Sequence, residues 1–171
     1  NNEKKAVVLN HFDSGCRPIR RGDVWASHLH GTWAYETRVT TEKVEMGGMY
    51  IANTDGSSNA HNTHPEIMIS LDGRPQENSG RCIGAMLCWN GNYKLRIKTT
   101  DKDYHLLFAG IDDFASQYHL DAGKTFTTPK LALTYSDKGL GGVSRNIHKW
   151  ARGGMIAHGD RLRDILLNSW E

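Results

Sequence analysis

The sequence predicts an all-β sandwich with one C-terminal helix. Three observations predict it. Short apolar runs with a period near two recur along the chain, turn residues separate them, and eighteen glycines stand against few helix-favouring runs. Residues 5–12 open the series with Ala6, Val7, Val8 and Leu9. Residues 24–33 alternate bulky and polar side chains, and residues 35–39 continue the series. The polar stretch 53–64 reads as an extended loop. Residues 66–71 form the next strand and end at the Asp72–Gly73 turn. Residues 81–89 close at Asn90, Gly91 and Asn92, and residues 93–99 resume directly. An Asn-Gly step between apolar runs predicts a hairpin, because both residues tolerate the positive φ of a tight turn. Residues 104–111, 114–120 and 126–135 complete the strands.

Leu140, Val143, Ile147, Trp150 and Ala151 recur at three- and four-residue spacing and predict a helix over 140–153. Gly153 and Gly154 supply its stop. Residues 157–163 read as a polar connector, and residues 164–171 begin a new apolar run. The expected organisation is a sandwich over 1–139, a helix over 140–153 and a linker over 154–171 that leads into a further domain.

Length fits one domain with a core of its own. The charge of +2, from 21 basic against 19 acidic residues, forms no stripe or tail, which argues against nucleic-acid and membrane-surface partners. A mean hydropathy of -0.58 and no long apolar run argue against a spanning helix. Three cysteines without paired spacing argue against a disulfide framework. Cys82 and Cys88, six apart, read as core thiols on one strand face. No signal peptide is recognisable, and the compartment stays open between cytoplasm and periplasm.

Glycoside hydrolysis needs two carboxyl groups about 5 to 10 Å apart, and no pair stands out here. Asp112 and Asp113 are adjacent and read as a turn, as do Asp101 and Asp103. His28 and His30 would share one side of a strand, with Glu36 as a third ligand, which gives a cupin-like metal enzyme as an alternative. The competing reading, a half-buried sheet face, needs no third ligand, and no cofactor is expected. His61 and His64 fall in the polar loop, where exposed or structural roles are usual. Aromatic faces can pack on sugars, so a stand-alone carbohydrate-binding module is a second alternative. Trp25, Trp33 and Trp89 fall in expected strands and read as core, and Trp150 as helix packing.

Several blocks occur together and in order: Gly110-Ile-Asp-Asp-Phe114, Phe126-Thr-Thr-Pro129, Tyr135-Ser-Asp-Lys-Gly-Leu140, Ser144-Arg-Asn-Ile-His148 and Asn168-Ser-Trp-Glu171. They resemble the end of the N-terminal domain of glycoside hydrolase family 36. His30-Gly-Thr-Trp-Ala-Tyr-Glu36 is similar to that family's G-x-W-x-x-E segment. Residues 54–65 are similar to its S-x-G-x-S-S-H-x-x-N-P-F segment, with the order changed, since Asn59 stands where the family often has His. The resemblance implies a galactose-mutarotase-like β-supersandwich, incomplete at its start, and a bacterial α-galactosidase as the whole protein. Its substrates would be terminal α-galactosides such as melibiose and raffinose. The family's nucleophile, in a K-W-D segment, and its acid/base Asp lie in a (β/α)8 barrel, and no residue here matches them. The chain by itself is therefore expected to be inactive. The implied roles are support of that barrel, shaping of the site's mouth and homo-oligomer assembly. Trp170 matches the Trp of the family's N-x-W-E-A segment, which lines the galactose pocket.

Overall fold

The computed structural model describes residues 1–56 and 62–155. Among them run eleven strands and one α-helix: β1 (Val7–Leu9), β2 (Gly15–Arg20), β3 (Trp25–His30), β4 (Arg38–Lys43), β5 (Met49–Asn53), β6 (Thr63–Ser70), β7 (Cys82–Leu87), β8 (Tyr93–Thr99), β9 (Tyr104–Ile111), β10 (Tyr118–Leu120), β11 (Leu131–Ser136) and α1 (Gly139–Trp150). A five-stranded sheet has the order β11-β7-β6-β3-β4, and a four-stranded sheet the order β2-β9-β8-β5. The strand β1 pairs with β10 as a separate ribbon. All of these pairings are antiparallel.

Alternation along the strands builds the core. Ile67 and Ile69 of β6, and Ile83, Ala85 and Leu87 of β7, belong to one buried cluster with Tyr93, Leu95 and Ile97 of β8 and with Leu107 and Ala109 of β9. The two sheets therefore pack face to face. Each fully buried aliphatic side chain contributes about 1.5–3 kcal/mol of transfer free energy. Burial of Tyr93 pushes its hydroxyl up to about 12, and Thr63 Oγ1 lies 2.5 Å from it.

The expected hairpin at Asn90–Gly91 is corrected. The flanking strands β7 and β8 lie in different sheets, so the chain crosses between layers there. The Trp89 amide donates back to the Leu87 carbonyl at 2.9 Å, a three-residue turn that bends the strand. The indole then folds over Gly91 and donates to the Asn92 carbonyl at 3.1 Å. A Cβ on Gly91 would sit 2.8 Å from the Trp89 Nε1. The tight hairpin is instead β8–β9, where the Thr100 amide donates to the Tyr104 carbonyl and Asp103 takes the left-handed conformation.

The helix α1 crosses the outer face of the five-stranded sheet. Val143 is fully buried against Gly84, which leaves no room for a side chain. The loop before β7 caps the helix start: the amides of Gly139, Leu140 and Gly141 donate to the carbonyls of Gly80, Gln76 and Glu77. Gly153 and Gly154 do not stop the helical path, since they lie inside a π-helical turn, Ala151–Met155. Trp150 is less buried than the periodicity implies, at 38% exposed. Of the thiols read as core, Cys82 is buried and Cys88 half-buried, while Cys16 is exposed. Among the described residues no helix is long and apolar enough to cross a membrane.

Candidate functional site

The loop between β3 and β4 holds two of the four non-glycine residues with positive φ among the described residues. Ala34 and Thr37 both adopt positive φ, at 61° and 57°, an uncommon conformation for side chains other than glycine. Hydrogen bonds hold it. Thr32 and Tyr35 exchange backbone bonds of 3.3 and 2.9 Å, and the Glu36 carboxylate accepts the Ala34 amide at 2.9 Å. A Cβ on Gly31 would lie 2.5 Å from the Tyr35 carbonyl, so only glycine fits. This frame turns Trp33 outward, 69% exposed, and Tyr35, 54% exposed. The Arg38 guanidinium stacks 3.8 Å above the Tyr35 ring. The core role expected for Trp33 is thereby corrected: β3 ends at His30, before the indole. Trp89 is likewise exposed, while Trp25 is half-buried and donates to Asp23.

Among the described residues the His-x-His pair does not gather a third ligand. The His28 and His30 ring centres lie 6.2 Å apart, and the ladder with β6 shifts register between them. Glu36 is tied to the Ala34 amide. His28 instead reaches Glu42 of the neighbouring strand, with Nε2 3.4 Å from Oε1. His28 Nδ1 is buried without a hydrogen-bond partner among the described residues. Among the described residues no three His, Cys, Asp or Glu side chains are grouped to hold a metal. His64 is in strand β6, not in a loop, and its Nε2 is buried without a hydrogen-bond partner among the described residues. His61 and Trp170 lie outside the described residues.

A charged cluster that sequence reasoning misses covers the outer face of the four-stranded sheet. Lys94 is buried and donates to the Asp113 carboxylate. His11 Nδ1 lies 3.1 Å from Asp113, and Arg96 donates to Asp13 at 2.7 Å. The Lys94 ammonium holds the Asp113 carboxyl down to about 2. Asp112 is buried beside it and accepts from the Tyr50 hydroxyl at 3.1 Å and the Phe114 amide at 2.7 Å. These carboxylates are engaged by internal donors, which suits fastening the 11–14 segment and the β9–β10 turn to the sheet and not proton transfer to a substrate. A signal was available in the sequence: Lys94, Arg96 and Lys98 alternate with Tyr93, Leu95 and Ile97 and so present charge on one strand face.

A cavity of about 250 Å³ opens where β3 and β4 meet the start of α1. Leu29, Val39, Met68 and Leu140 supply its apolar wall, and Glu66 and Glu77 its charged groups.

Comparison with known proteins gives the arrangement a family. The sequence profile described as the glycosyl hydrolase family 36 N-terminal domain matches residues 1–121, and the profile described as melibiase matches residues 125–171. A probable α-galactosidase G of Aspergillus terreus is 30% identical over the whole chain, which covers 24% of that protein. The α-galactosidase Mel36A of Lactobacillus acidophilus is 28% identical over the whole chain, covering 23% of that protein. The crystal structure of the Geobacillus stearothermophilus α-galactosidase AgaA superposes with a TM-score of 0.83 at 24% identity. That superposition covers 89% of this chain and 21% of AgaA, and it carries the fold. The chain thus spans about a quarter or less of the length of these relatives. They are fungal as well as bacterial, so the expected bacterial source does not follow from the match. With a profile covering residues 1–121 of the 171, the chain belongs to the glycosyl hydrolase family 36 N-terminal domain family.

Proposed function

We propose that this chain is the non-catalytic N-terminal part of an α-galactosidase that hydrolyses terminal α-galactosides of the melibiose and raffinose type. In this reading a sandwich over 1–139 and a helix over 140–153 form a rigid base, and residues 154–171 link it to a (β/α)8 barrel. The barrel would supply both catalytic carboxyl groups of a retaining reaction. The base would support the barrel, shape the mouth of its site and take part in homo-oligomer assembly. The observation that carries the reading is the pair of family matches in series, N-terminal domain and then melibiase. Variants of the Geobacillus enzyme were crystallised with raffinose and with stachyose, which favours oligosaccharide galactosides as the substrate class.

Trp170, in the stretch matched by the melibiase profile, is proposed to stack on the galactose ring of the whole enzyme. The test expresses the whole open reading frame, including any coding sequence downstream of Glu171. Galactose release from melibiose and raffinose is expected, with Trp170→Ala lowering kcat/KM by about tenfold or more. A whole protein without a K-W-D segment, or without such activity, would overturn the reading.

A further inference from the structure

The Asn90–Gly91 step turns the chain from one sheet to the other, and it also carries reactive groups. It is the only Asn-Gly step in the sequence. Asparagine followed by glycine is prone to lose its side-chain amide, because no Cβ on the next residue hinders ring closure. The Gly91 nitrogen attacks Asn90 Cγ, the Cγ–Nδ2 bond breaks, and ammonia leaves with the proton that the Gly91 amide gives up. A five-membered succinimide results. Water then adds to either ring carbonyl, and opening gives aspartate or isoaspartate. We infer that Asn90 is such a self-modification site in the folded chain, and that its conversion loosens the crossing between the two sheets.

Two observations favour the reaction here, and a third gives its effect. First, both reacting groups are free. Asn90 is exposed, and among the described residues neither its side chain nor the Gly91 amide has a hydrogen-bond partner. Second, the comparable steps are locked. At Asp55–Gly56 the Gly56 amide donates to Asn92 Oδ1 at 2.7 Å. At Asp72–Gly73 the Gly73 amide donates to the Asp23 carbonyl at 2.8 Å, and Arg81 pairs with the Asp72 carboxylate at 2.6 Å. An amide held in this way must give up its hydrogen bond before it can turn onto the preceding side chain. Third, the neighbours of Asn90 fasten the crossing. The Asn92 carbonyl accepts the Trp89 indole and the Asp112 amide, each at 3.1 Å, and the Gly91 carbonyl accepts from Asn53 Nδ2 at 3.4 Å. Isoaspartate inserts an extra backbone carbon inside the span from Trp89 to Asn92, together with a negative charge. The indole, packed directly over Gly91, loses the geometry of its bond.

The modification goes beyond the proposed α-galactosidase role and does not depend on it. In the test, the purified chain is held folded at mildly alkaline pH beside an isolated peptide of residues 86–95. Peptide mass spectrometry locates the conversion, and labelling by an isoaspartyl methyltransferase identifies the isoaspartate. Conversion is expected at Asn90 before Asn78 or Asn168, each followed by serine, and at a rate within about tenfold of the peptide's. The converted chain should melt at a lower temperature, and its tryptophan emission should move to longer wavelength as the Trp89 indole is released. An Asn90→Ser chain incubated alongside should show neither change. A folded chain that converts more than about tenfold more slowly than the peptide would overturn the inference. So would conversion that begins at another asparagine, or a converted chain with unaltered melting and emission.

Discussion

Asp113 sets how the fold responds to acid. Its carboxyl is held at about 2 in the folded chain, against an ordinary 3.8, mainly by the Lys94 ammonium. An unfolded chain takes up that proton at higher pH, so this stabilisation is complete above pH 3.8 and is lost as pH falls toward 2. His105 acts in the same direction at higher pH. Burial lowers its basicity below the usual 6.5, so stability begins to fall as pH drops through 6.5. Urea titrations across that range should show a declining midpoint, and Asp113→Asn should flatten the portion below pH 3.8. Gly84 gives a second prediction. A Cβ there would overlap the Val143 side chain and lie 3.0 Å from Thr134. Gly84→Ala should therefore lift α1 and destabilise the chain by about 1–3 kcal/mol in equilibrium unfolding. Neither effect is legible in the sequence. Lys94 and His11 are 83 residues apart, and only the sheet brings them together.

Most strands announce themselves by alternation, and the exceptions have physical causes. Strand β2 contains Pro18 and two arginines, which argue against a central strand. It is an edge strand in the structure, where a missing amide costs nothing. The opposite problem hides β4, whose charged ends suit an exposed edge and dilute its apolar signal. The Asn90–Gly91 error is more instructive. A turn signal reports a reversal and not which sheet receives the chain. The Trp89 indole bonded to Asn92 sends β8 into the opposite layer. The exposed Trp33 misleads for a related reason: β3 already ends at His30, and the loop that follows turns at Ala34 and Thr37, left-handed positions that carry neither glycine nor proline. Element packing makes a prediction of its own. The strand β11 completes the β7 edge, and α1 covers Gly84. A chain truncated after Lys124 should lose cooperative melting by circular dichroism, or aggregate through that uncovered edge.

The whole molecule explains why that truncation is harmful. The two family profiles meet between residues 121 and 125, yet the five-stranded sheet runs across the junction through β11. The unit that folds and the unit that the profiles delimit are different. Overall class was readable from turns and alternation, and the family from ordered motifs such as Phe126-Thr-Thr-Pro129. The candidate site was hardly readable, because it depends on a strained tip beside a helix start distant in sequence. The proposed non-catalytic role implies that the chemistry lies outside these residues. Hydrolysis of p-nitrophenyl α-galactoside by the purified 171-residue chain measures that directly. No turnover above the uncatalysed rate is expected, whereas sustained release of galactose that is lost with Asp113→Asn or Asp112→Asn would contradict the non-catalytic role.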